Sequence, residues 1–154
     1  MKHDRDMVGA FPVAAMARLP GAEALVVRCL RGWSDGPEAV MALLTPALGP
    51  VKARACLRAM GDVMTIVLRH GRRPIIRHGA RCACVGSDEA IFAHFVMVAA
   101  TGEREDAMLI ASLLVEGPLL LPMVDAARQA GLYLYQAGLR QAAAFPEPAS
   151  VTRH

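Results

Sequence analysis

Aromatic side chains are scarce. Trp33, Tyr133, Tyr135 and four phenylalanines make up 5% of 154 residues, which leaves little for a base-stacking platform. Charge is thin too: 20% of the chain is charged, the net is only +3, and 55% is hydrophobic. A chain with so much apolar material and so little net charge folds, which excludes disorder as its dominant state. Four cysteines fall far below the density of small secreted disulfide frameworks. No run of 18 uncharged apolar residues occurs, and stretches such as 90–102 are shorter and contain His94, so a membrane-spanning helix is not expected. The Ser/His/Asp order, a phosphate-cradling glycine loop and His-Glu-x-x-His are also missing, so no enzyme class announces itself by a signature.

What is there is helical spacing. Ala22, Leu25, Val26, Cys29, Leu30 and Trp33 fall on one helix face. Ser34-Asp35-Gly36 breaks that helix, and Asp35 with Pro37 opens a second one that presents Val40, Leu43, Leu44 and Leu48 and stops at Gly49-Pro50. A third runs from about Val51 to His70, ~30 Å at 1.5 Å per residue. Ala53, Cys56, Leu57, Met60, Val63, Met64 and Val67 face one way, and Arg54, Arg58, Asp62, Thr65 and Arg69 the other.

From 71 to 86 the helical period is lost, and glycine-rich irregular chain with short extended pieces is expected. Ser87 reads as the N-cap of the next helix, with Asp88 and Glu89 as charges against its dipole. That helix is apolar nearly all round to about Ala100, the pattern of a buried central element. A further helix starts near Glu103, and a last one runs from about 118 to Ala130 with Gly131 as its cap. Leu132-Tyr133-Leu134-Tyr135 is ambiguous between strand and helix. The expected architecture is therefore an all-α, single-domain bundle of about six helices: an arm over 1–20, the helical domain over 21–140, and a tail over 141–154.

The chemistry-bearing residues gather around the irregular segment. His78, Cys82, Cys84 and His94 give His-x3-Cys-x-Cys-x9-His, four side chains that zinc accepts in a tetrahedral shell. An extended Cys-x-Cys turns both sulfurs to one side, although zinc pairs more often have two to four residues between them. Two other readings stand beside it. The thiols can be buried, with His94 a hydrogen-bonded core histidine, or Cys82 and Cys84 can form a redox-active pair. Cys29 and Cys56 lie in apolar stripes and read as core. An iron–sulfur cluster would require both to leave those stripes.

Charge is uneven along the chain. Residues 52–81 carry a net of +7 and residues 82–154 a net of −4, while residues 1–51 balance. Arg69, Arg72, Arg73, Arg77 and Arg81 are the candidates for holding a nucleic-acid backbone or another anion. A face paired with the protein's own acidic half, within the chain or across a dimer, is the competing reading. A helix-turn-helix with its turn at Gly49 fails, because Pro46 and Pro50 fall where helical residues are wanted. At the N-terminus, Met7–Ala17 is apolar, but Asp4 and Asp6 replace the basic residues of a signal peptide and Pro12 interrupts its core. A cytoplasmic location with reduced cysteines is expected.

The stretches Arg81-Cys82-Ala83-Cys84-Val85-Gly86-Ser87-Asp88-Glu89-Ala90 and Glu103–Val115 resemble a family of small bacterial helical proteins without assigned function. The resemblance covers about half the chain and implies a helical fold but no activity. The function expected from the residues is a non-enzymatic interaction or regulatory module, homodimeric, with no membrane contact. The alternatives are a zinc-binding protein and a nucleic-acid binder.

Overall fold

The computed structural model describes residues 8–144. β1 (Pro12–Ala15) leads into α1 (Gly21–Gly32), α2 (Pro37–His70), β2 (Cys84–Gly86), α3 (Ser87–Thr101), α4 (Arg104–Leu114) and α5 (Leu120–Ala144). Single 3-10 turns at Met16–Arg18, Trp33–Asp35 and Gly117–Leu119 make corners between them. α2 is two helices end to end. Gly49 has φ 77 and ψ 165 inside it, a left-handed conformation open to glycine at little cost, and Pro50 then starts the second half. Counted that way, the elements from Pro12 to Ala144 form an all-α bundle of six helices with one two-stranded sheet.

α2 is also long and apolar enough to cross a membrane by length and composition, its best 18-residue window reaching a mean hydropathy of 1.2. No helix of this kind was expected from uninterrupted uncharged runs. Charged residues spaced along α2 break such runs while leaving the window average high. The helix is bent at Gly49, and its Val40, Leu44, Leu48, Ala53, Cys56, Met60, Val63 and Val67 lie in the core.

The centre of the bundle is α5, packed against α2, α3 and α1. It does not stop at Gly131 as its sequence suggests but continues to Ala144, and the segment 132–135 is helical. Met123, Ala127, Ala130, Leu134 and Ala137 keep one buried stripe through the glycines. Gly131 and Gly138 serve close approach here: a Cβ at Gly131 would stand 2.5 Å from the Val96 carbonyl oxygen, and one at Gly138 2.7 Å from the Ala22 nitrogen. The tail expected over 141–154 is helical to Ala144, and its remainder lies outside the described residues.

The arm is held by the loop. β1 and β2 pair antiparallel, with Pro12 opposite Gly86, Ala14 opposite Val85 and Ala15 opposite Cys84. Beyond the ladder, Met16 N–H donates to Ala83 O at 2.8 Å and Ser87 N–H to Phe11 O at 2.9 Å. Ser87 is not the N-cap of α3. Gly86 holds that place, Ser87 is the first helical residue, and its hydroxyl donates to Val8 O at 2.6 Å. The capping comes from Glu89, whose Oε2 accepts the Gly86 N–H at 3.1 Å.

Candidate functional site

The irregular segment between α2 and β2 is built around two buried carboxylates. Asp88 and Glu89 open α3, the most apolar of the helices, yet Glu89 is fully buried and Asp88 nearly so. A carboxylate taken out of water must be paired and hydrogen-bonded, and each of these is.

Arg31, in the last turn of α1, meets Glu89 in a two-pronged pair: Nε to Oε1 at 2.8 Å and Nη2 to Oε2 at 2.9 Å. The same guanidinium donates through Nη1 to Cys82 O at 2.8 Å and through Nη2 to Cys84 O at 2.6 Å. Glu89 Oε1 also takes the His78 N–H at 2.9 Å. One buried ion pair thus joins α1, the 78–84 segment and the start of α3. Burial pushes the Glu89 carboxyl up, but Arg31 and the Gly86 and His78 N–H groups outweigh it and hold it below the usual range. The hydrogen bond to Glu89 holds the Arg31 guanidinium above its ordinary value.

Asp88 makes the second pair. Arg73 donates to both of its oxygens, at 2.8 and 2.5 Å, and Ile76 N–H adds a third bond at 2.9 Å. This pair forms the polar wall of a cavity of about 250 Å³ whose other sides are Pro74, Ile75, Ile91 and Leu113. Both carboxylates read as capping charges in the sequence; Glu89 does cap α3 through the Gly86 N–H, and both also anchor the loop. The signal was an acidic pair at the head of an apolar helix, with arginines in the apolar α1 and in the loop to match it.

The anchored loop presents a thiol. A turn in which Cys82 N–H donates to Gly79 O at 3.0 Å brings Cys82 back to His78, with Sγ 3.6 Å from Nδ1. The other ring nitrogen, Nε2, lies 2.7 Å from Ala10 O. A carbonyl oxygen only accepts, so Nε2 carries a proton and Nδ1 faces the sulfur. The Cys84 backbone N–H is the largest influence lowering the Cys82 thiol, followed by His78, with Arg31 adding positive charge nearby. His78 moves the other way. The Ala10 carbonyl is the first cause raising it, partial burial opposes, and Cys82 and Glu89 add to the rise. Both shifts favour a thiolate beside an imidazolium. Cys82 and Cys84 are exposed and free, so the sulfur is open to reagents in solution.

Of the four zinc candidates, the structure brings His78 and Cys82 together. Cys84 follows on β2 with its thiol exposed, and His94 is exposed on α3 rather than in the core. Among the described residues, no group of three or more His, Cys, Asp or Glu side chains is placed to hold a metal ion. The five candidate anion-binding arginines are dispersed in their roles. Arg72 donates to Ser112 O at 2.8 Å and lies 3.9 Å from Glu116, and Arg73 binds Asp88. Arg77 donates to Leu30 O at 3.2 Å, and Arg69 and Arg81 are exposed. Cys29 and Cys56 are in the core as expected. Burial pushes both thiols up to about 12, and Cys56 adds to the shift at Cys29. Compared with known proteins, the chain matches no family model, no curated protein and no solved structure.

Proposed function

We propose that the protein is a non-enzymatic regulatory module whose input is modification of the Cys82 thiolate. The observation that carries this reading is the chain of contacts Cys82 Sγ–His78 Nδ1 and His78 Nε2–Ala10 O. It places an exposed sulfur against a base whose far side is fixed by a third group, the arrangement that activates a cysteine nucleophile. The output is the arm, because His78 holds Ala10 while β2, which begins at Cys84, holds β1. Capping the sulfur with a bulky group removes the partner of Nδ1 and loosens that side of the arm. Such a site works where thiols are kept reduced, which a cytoplasmic location supplies.

The test is brief treatment with a neutral disulfide, followed by peptide mapping and amide hydrogen exchange. The reading expects the adduct on Cys82 ahead of Cys84, and faster exchange over 8–19 in the modified protein. Modification of Cys84 first, or an arm whose exchange does not change, would overturn it.

A second copy of the chain is the partner that the surface of α5 supports. Leu132, Tyr135 and Leu139 are 49, 42 and 55% exposed at spacings of three and four residues, a row on one side of the helix. Light scattering on Tyr135→Glu decides: a dimer that becomes a monomer supports the pairing, and an unaltered mass removes it.

A further inference from the structure

The loop around the thiol is one-sided in charge. Residues 71–86 contain Arg72, Arg73, Arg77 and Arg81 and no carboxylate. Arg72 and Arg73 are matched by Glu116 and Asp88, and Arg31 beneath the loop is matched by Glu89. Arg77 and Arg81 are different. Neither has a carboxylate within ion-pair distance among the described residues, and Arg77 uses Nη1 on the uncharged Leu30 carbonyl. The two lie directly before His78 and directly before Cys82, so both unmatched charges flank the Cys82–His78 pair in the chain. Among the described residues, these two charges are left without a carboxylate to offset them, on the segment that carries the sulfur.

Building on the thiol reading above, we infer that Cys82 takes small disulfides that carry negative charge close to the S–S bond, such as carboxylate-bearing ones. The Cys82 thiolate attacks the nearer sulfur, a new S–S bond forms to Cys82, and the original S–S bond breaks. The bonding pair leaves on the far sulfur as a thiolate, which takes its proton from the His78 imidazolium or from water. Cys82 is oxidised to the mixed disulfide, and the departing half is reduced to a thiol. Arg77 and Arg81 act before the bond changes, by raising the local concentration of the anion and orienting its carboxylate.

Three disulfides with similar leaving groups and different charge test this: dithiodipropionate (anionic), bis(2-hydroxyethyl) disulfide (neutral) and cystamine (cationic). Rates at Cys82 are read by mass spectrometry and divided by the rates of an unstructured cysteine peptide. At about 10 mM salt, where the Debye length is ~30 Å, the normalised anionic rate is expected to exceed the cationic one roughly tenfold, and in ~1 M salt the gap should close. Arg77→Gln/Arg81→Gln should remove most of that gap, with the anionic rate falling far more than the neutral one. The exposed Arg81→Gln alone should remove part of it, which covers the case in which the double variant folds poorly. Cys82 faster than the peptide with all three probes but blind to their charge would overturn this inference alone. Cys82 no faster than the peptide with any probe would overturn the thiol reading, and this inference with it.

Discussion

The two pairs of cysteines share a side chain and little else. Cys29 and Cys56 sit in the helical core, where burial raises both thiols to about 12. Cys82, on the loop, and Cys84, at the start of β2, stand in the open, and an N–H, an imidazole and a guanidinium push the Cys82 thiol down. Desolvation penalises a thiolate, and donors aimed at the sulfur favour it; the bundle supplies one condition inside and the other at its edge. The two environments are also mechanically joined. Cys29 and Arg31 lie two residues apart on α1, one packed into the core and the other reaching out to the carbonyls of Cys82 and Cys84.

Removing that joint has the largest expected effect. Arg31→Ala leaves Glu89 buried without its cation and frees two loop carbonyls, which should cost about 3–5 kcal/mol, read as a lower urea midpoint. The pH dependence of the pair follows from its direction. Glu89 is held below its usual range, so its contribution is present above the ordinary glutamate value and is lost as pH falls through the lower folded one. Glu89→Gln should therefore be less stable than the parent at neutral pH and should flatten part of the acid limb of the stability curve.

Thiol counting sharpens the comparison directly. At neutral pH a thiol near 12 has a thiolate fraction roughly a thousandfold below that of an ordinary cysteine. Native protein should thus react at two of its four cysteines, Cys82 faster than Cys84. Cys29 and Cys56 should respond only after denaturation, at rates ~10³-fold slower beforehand. Reaction at Cys29 or Cys56 on the native timescale would break the distinction between the pairs.

Much of this architecture was legible from spacing. Cys29 and Cys56 fell in apolar stripes, and Gly49-Pro50 marked the break between the halves of α2. Gly131 misled because a glycine after an apolar stretch has two uses, and only the neighbouring Val96 backbone distinguishes a helix end from a close crossing. The loop stands out as a place for chemistry because His78, Cys82 and Cys84 gather where the helical period fails. The grouping within it was not legible. Arg31 is 51 residues from Cys82 in the chain, Ala10 is 68 from His78, and no local pattern couples residues so far apart. His94 looked like a core residue or ligand because its neighbours are apolar, but the helical period turns it to solvent while Phe92, Ala93 and Phe95 are buried.

A stability contrast of intermediate size should accompany the reactivity contrast. Cys56→Ser puts a hydroxyl where the buried thiol meets the Ala130 carbonyl at 3.9 Å, at a cost of about 1–3 kcal/mol. Cys82→Ser, on the exposed loop, should change the urea midpoint by less than about 0.5 kcal/mol equivalent. Equal losses at the two positions would mean that the loop thiol is as much a packing element as the core one.

The smallest change, and the most direct, concerns the imidazole. The alkylation rate of Cys82, followed by site-resolved mass spectrometry from acid to alkaline pH, reports the thiolate population itself. Cys82 should give a sigmoid with its midpoint below the ordinary cysteine value, moved upward by His78→Gln with a loss of roughly threefold to tenfold in rate near pH 7. A Cys82 profile that overlays that of an unstructured cysteine peptide, and does not move in His78→Gln, would contradict it.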